Sequence, residues 1–168
     1  FENGQIATAR NCYNKALAIE PNNANVNYNA ALAAMADNDF AKAEQYFGKA
    51  AGTDANLSAA MGTLYTMKGD YAAAKKAYGS SATNNAAVQQ ILDEDYTAAL
   101  QTLNKVQKPN ATTAYLKAVV AARTNDKANV YSNLKSAIVL DPAMKTRVKT
   151  DIEFSKFAED AEFMAIVK

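Results

Sequence analysis

A small residue, an aromatic or leucine, and a second small or β-branched residue recur along the chain with steps of four and then three. The trios are Ala9/Tyr13/Ala16, Ala43/Phe47/Ala50, Ala74/Tyr78/Ser81, Ala99/Leu103/Val106 and Val130/Leu134/Ala137. Such steps return to one side of an α-helix, so each trio predicts a helix with a buried stripe. Their first members lie 34, 31, 25 and 31 residues apart. Self-similarity at a period near 34 predicts a repeat array. Losing three residues removes about one helical turn and leaves the facing surfaces in phase.

Ahead of four trios stands an acidic or Asn-containing turn: Asn38-Asp39, Gly69-Asp70, Glu94-Asp95 and Asn125-Asp126. The Asp is placed to accept hydrogen bonds from the free N–H groups opening the next helix. Further stops fall at Glu20-Pro21-Asn22-Asn23, Lys108-Pro109-Asn110 and Asp141-Pro142. Ala-rich stretches fill the intervals, so each unit is expected to be a pair of helices. Asn23, Asn25, Asn27 and Asn29 alternate with Ala24, Val26 and Tyr28, a period of two that alone would suggest a strand. The repeat overrides it and predicts the first helix of a pair.

Composition changes the picture mainly by exclusion. Lys and Arg number 18 against 17 Asp and Glu, giving a formal charge of +1 without a basic block. Nucleic acid is therefore not an expected partner. No run approaches about 20 apolar residues, so membrane insertion is not expected either. With no His and a single Cys, the chain has no His-based triad, Cys–His pair or Cys/His zinc site. Catalysis and cofactors are expected to be absent. Asp37, Asp39 and Glu44 echo a calcium loop but lack its glycine and remaining ligands, and Cys12 is expected to be a small buried apolar residue.

The phased units resemble tandem tetratricopeptide repeats. The resemblance rests on Gly69-Asp70-Tyr71 with Ala74 and Tyr78, on Asp39-Phe40 with Ala43, Phe47 and Ala50, on the run from Cys12 to Pro21, and on Gly62 with Tyr65. The family's Trp is absent. This implies an all-α fold, a right-handed α-solenoid of antiparallel helix pairs over residues 1–142. Units are expected at about 24–54, 55–79, 80–109 and 110–142, preceded by an incomplete unit that supplies only a second helix carrying Ile6, Ala9 and Tyr13. Residues 143–168 are expected to be short capping helices that cover the last repeat through Met144, Val148, Ile152, Phe154, Phe157, Phe163, Met164 and Ile166. Phe1-Glu2-Asn3-Gly4 reads like the middle of something larger, and the open front offers a surface for self-association or docking. The 25-residue step leaves room for only a short first helix and predicts a pinched superhelix between Gly79 and Tyr96. That pinch is either sequence drift or a groove deformed for a ligand.

In this family the first helices line a concave groove. Carried onto this chain, the groove residues are Asn25, Tyr28 and Asn29, then Asn56, Thr63 and Thr66, then Asn84 and Asn85, and last Tyr115 and Arg123. Asn and Tyr suit an extended peptide held by its main-chain amides. Asn29 and Asn85 fall where some relatives place the Asn of a carboxylate clamp, but Tyr28 and Asn84 stand in place of its Lys. The implied function is a non-catalytic scaffold that holds a protein or peptide segment. The alternative is a structural spacer or docking module in a larger envelope assembly protein. Richness in Asn, Thr and Tyr with a Phe-rich ending is similar to repeat proteins of Gram-negative envelopes. A periplasmic or outer-membrane-associated setting is the expectation, with the cytoplasm as the alternative, and the absence of paired Cys fits both.

Overall fold

The computed structural model describes residues 3–50 and 55–168, with side chains from residue 8 in the first stretch and residue 56 in the second. The boundary expected near residue 54 and the side chain of Ile6 lie outside these. The described residues form α1 (Asn3–Ile19), α2 (Ala24–Ala36), α3 (Phe40–Lys49), α4 (Ala55–Lys68), α5 (Tyr71–Tyr78) and α6 (Asn84–Leu92). They continue through α7 (Tyr96–Lys105), α8 (Ala111–Arg123), α9 (Lys127–Leu140), α10 (Met144–Thr150), a 3₁₀ helix (Ile152–Phe157) and α11 (Ala161–Val167). The fold among the described residues is all-α, and within each compact unit helices neighbouring in sequence pack on one another, consistent with a helical solenoid. The Asn-rich segment with period two is α2, as the repeat requires.

The chain divides into two compact units, Phe1–Ser81 and Ala82–Lys168. The division falls where the repeat spacing shortens, next to the nine-residue α6. Each unit has its own core.

Four joints share one construction. At α2–α3, α4–α5, α6–α7 and α8–α9, the residues Asn38, Gly69, Glu94 and Asn125 adopt left-handed backbone with φ of 59°, 77°, 60° and 61°. The next N–H, of Asp39, Asp70, Asp95 or Asp126, donates five residues back to Ala34, Tyr65, Gln90 or Ala121 O at 2.8–2.9 Å. The left-handed residue's own N–H donates three residues back, to Met35, Thr66, Ile91 or Ala122 O. This is the Schellman closure, which satisfies carbonyls at a helix C-terminus. The same Asp then opens the following helix, its carboxylate accepting from the N–H of Lys42, Ala73, Ala98 or Asn129 at 3.0–3.2 Å. One residue thus ends the bonding of the first helix and starts that of the second.

Most of the predicted stripes supply the cores; Ala9, Tyr13 and Ala16 on α1 are only part-buried, as is Val106, which follows the last turn of α7. In the first unit, Ala43, Phe47 and Ala50 are buried, with the Tyr28 ring edge-on to Phe47 at 5.8 Å. Gly62 is where the α5 ring lies against α4, because a Cβ there would fall 2.4 Å from Tyr78 Cδ1. In the second unit Ala99, Leu103, Val130, Leu134 and Ala137 are buried, and Phe154, Phe157 and Phe163 from the closing helices join the same core. These helices are also tied to the last pair by polar contacts: Arg123 to Glu153, Lys127 to Asp160, and Lys135 to Glu162. Two members of the expected covering face are corrected. Ile152 is 83 % exposed and Met164 is half-exposed, because each points away from the face that buries Phe154 and Phe163. Cys12 is likewise exposed on α1, not buried.

Candidate functional site

The first helices are α2 and α4 in the first unit and α6 and α8 in the second, and the residues expected on their groove face fall into two groups. One group is engaged by the protein itself. Tyr115 is 5 % exposed, packs edge-on against Phe154 at 5.9 Å, and donates its hydroxyl proton to the Asp151 carboxylate. The Arg147 guanidinium lies 4.4 Å from its ring centroid. Burial, followed by the Asp151 hydrogen bond, pushes the Tyr115 phenol up to about 12. Tyr115 is therefore a correction: the chain's closing helices cover it, and it presents no open surface. On the same helix the Arg123 side chain donates from Nε to Glu153 at 2.9 Å, which holds its proton more firmly than usual.

Asn84 is engaged in a similar way. Its Oδ1 accepts from Thr113 Oγ1 at 3.0 Å and its Nδ2 donates to Asn110 Oδ1 at 3.3 Å. Asn110 and Thr113 form a capping box at the start of α8, so Asn84 ties the openings of α6 and α8 together. Thr63 and Thr66 donate to the carbonyls of Ala59 and Gly62, and both hydroxyls lie 3.3 Å from the buried Tyr78 hydroxyl. They serve the α4–α5 contact.

The other group faces outward. Asn25, Asn29, Asn56 and Asn85 are exposed, and Tyr28 is half-buried over Phe47. Asn25 and Asn56 occupy the same repeat position on α2 and α4, each 14 residues ahead of its capping Asp. Asn29 stands one turn beyond Asn25 and donates to its carbonyl at 3.0 Å. An exposed amide offers a donor and an acceptor together, which matches a peptide group. Within the first unit these side chains form an uncharged polar face with one aromatic wall.

Two features escape sequence reasoning. Asn27 belongs to the same run yet is fully buried, and its Nδ2 donates to Pro21 O and Asn23 O at 3.0 and 2.9 Å, fastening the turn before α2. Its position in the run, four residues after Asn23 of the Pro21-Asn22-Asn23 turn, is the only signal. The hollows also lie elsewhere. One of about 530 Å³ sits over α2 between α1 and α3, and others sit over α8 beside α7 and α9. They depend on helix packing, which no local pattern encodes.

Among known proteins, residues 1–37 match the family model described as TPR repeat, and residues 24–57 match the one described as tetratricopeptide repeat. No curated protein matches the chain. The two matches and the succession of helix pairs together support a tetratricopeptide-repeat family, whose members serve in protein–protein interaction.

Proposed function

We propose that the chain is a non-catalytic protein-interaction scaffold that holds an extended peptide or protein segment on the first-helix face of its first unit. Asn25, Asn29 and Asn56 bond the main-chain amides of the segment, and the Tyr28 ring packs against its side chains. The observation that carries this reading is the recurrence of an exposed Asn at one repeat position on successive first helices, Asn25 and Asn56. A main-chain ladder with few charges suits a partner recognised by extended conformation more than by charge. In the second unit Asn85 stands at the repeat position of Asn29, while Tyr115 and Arg123 on α8 are engaged by the closing helices.

The test is selection of peptides from a displayed library against the full chain, followed by affinity measurement on the Asn25→Ala, Asn29→Ala, Asn56→Ala variant. Loss of about tenfold or more in affinity, with thermal stability unchanged, is expected. Undiminished binding by the triple variant would remove this face from consideration.

A further inference from the structure

A second surface, on the other side of the first helices, has the features of a binding site. Over α8 two adjoining hollows of about 300 and 360 Å³ share Leu100, Asn104, Val120 and Thr124, and so form one trough. At 100° per residue, positions 117, 120, 121 and 124 point away from Tyr115, so the trough lies opposite the face considered above.

The first unit has a hollow at the same repeat positions. Counting from the capping Asp of each pair, Asp37, Lys42 and Tyr46 correspond to Thr124, Asn129 and Asn133; Arg10 and Leu100 correspond as the residues that follow Ala9 and Ala99 in their stripes. In the first unit Arg10 bonds to Asp37 across the hollow and Lys42 pairs with Asp39 at 2.9 Å, so the protein's own charges engage one another there. In the second unit Leu100, Thr124 and Asn129 stand in place of Arg10, Asp37 and Lys42, and only the charge of Asp39 is kept, as Asp126. Leu100 is 41 % exposed at the wall common to both hollows, above the buried Val120. The two charges left in the lining, Lys117 and Asp126, have opposite signs, and Asp126 accepts from both the backbone N–H and Nδ2 of Asn129.

We infer that this trough is a binding site for a short, extended, electrically neutral peptide segment with an aliphatic side chain. The aliphatic group rests on Leu100 and Val120. The main-chain amides bond to Asn104 on α7 and donate to the Oδ1 atoms of Asn129 and Asn133 on α9, whose Nδ2 groups bond to Asp126 Oδ2 and Asn129 O. Asn129 and Asn133 are four residues apart, a rise of about 6 Å, close to the roughly 6.6–6.8 Å that separates every second residue of an extended strand. A neutral segment fits because a lining with balanced charges gives no return for desolvating an ion.

The experiment titrates the isotope-labelled full chain with the capped peptide acetyl-Ala-Ser-Leu-Ser-Ala-amide, and with versions carrying Lys or Glu in place of Ser, while amide NMR shifts are followed. The expected result is saturable shifts centred on Leu100, Asn104, Val120, Asn129 and Asn133, with affinity for the neutral peptide about tenfold above either charged version. Leu100→Glu, at an exposed position, is expected to abolish them. The double variant Leu100→Arg, Thr124→Asp transplants the charge pair of the first unit and is expected to close the trough with the same loss. Absence of shifts up to the solubility limit, shifts that persist in both variants, or shifts confined to Asn25, Asn29 and Asn56 would overturn the inference, and the last would leave the first-unit reading intact.

Discussion

Gly62 and Tyr78 show how a single side chain sets the distance between helices. With a Cβ position 2.4 Å from the Tyr78 ring, Gly62→Ala must push α5 outward or turn the ring. A loss of about 1–3 kcal/mol in chemical denaturation is expected, the usual range for overpacking. Phe47 presents the opposite case: fully buried, it leaves a cavity when shortened, and Phe47→Ala should cost about 3–5 kcal/mol. Tyr115 couples the second unit to pH. Burial and then the Asp151 hydrogen bond push its phenol up to about 12, above the roughly 10 of an unfolded chain, so folding favours the protonated form. That contribution is fully present below about pH 10 and is lost as pH rises toward 12. In urea denaturation at about pH 9 and about pH 11.5, Tyr115→Phe should lose less stability between the two conditions than the parent. The buried trios are legible in the sequence because helical periodicity is a local property. The fate of Tyr115 is not, since it is buried by the closing helices through Phe154 and bonded to Asp151, 36 positions away, whereas Tyr28 at the same repeat position is only half-buried.

At the scale of elements, the four joints explain why helix pairs follow from so little turn sequence. The Asp at each joint is readable as a helix start, and the left-handed residue before it is readable at Gly69 and, less strongly, at Asn38 and Asn125, but not at Glu94, since Glu seldom adopts such a conformation. Glu94 is the costliest choice of the four. Glu94→Gly should stabilise the second unit by about 1 kcal/mol, the relief of left-handed strain being partly offset by the flexibility of glycine. Asp95→Ala should cost about 1 kcal/mol by removing the bond to the Ala98 N–H. The closing helices respond to acid through Asp160, which its hydrogen bond with Lys127 draws down to about 2. A lowered carboxylate contributes above its unfolded value of about 3.9, and the contribution is lost as pH falls toward 2. In NMR titration, Lys127→Met should return the Asp160 midpoint toward the ordinary carboxylate range.

At the scale of the molecule, each unit has a core of its own, and helices bond mainly to their neighbours in sequence. In such arrays stability is a sum of local and nearest-neighbour contributions. Phe47→Ala should therefore weaken hydrogen-exchange protection in α2 to α4 while leaving the amides of Val130 to Ala137 in α9 protected. The shortening of the repeat to 25 residues is visible in the sequence, as is the chemistry of exposed Asn on the first helices. The trough over α8 is not visible there, because its lining comes from three helices and each contributes residues that look like ordinary solvated surface.

The shared joint also bears on how the chain can change in length. Each joint leaves one helix and enters the next through the same backbone path, whatever side chain occupies its left-handed residue. Excising residues 95–125 would set Asp126 directly after Glu94 and rebuild that path from two existing halves, with Val130 and Leu134 arriving where Ala99 and Leu103 had been. A gene encoding such joints can gain or lose copies by recombination between them without inventing a new turn, so a change in unit number needs no new backbone geometry at the joint.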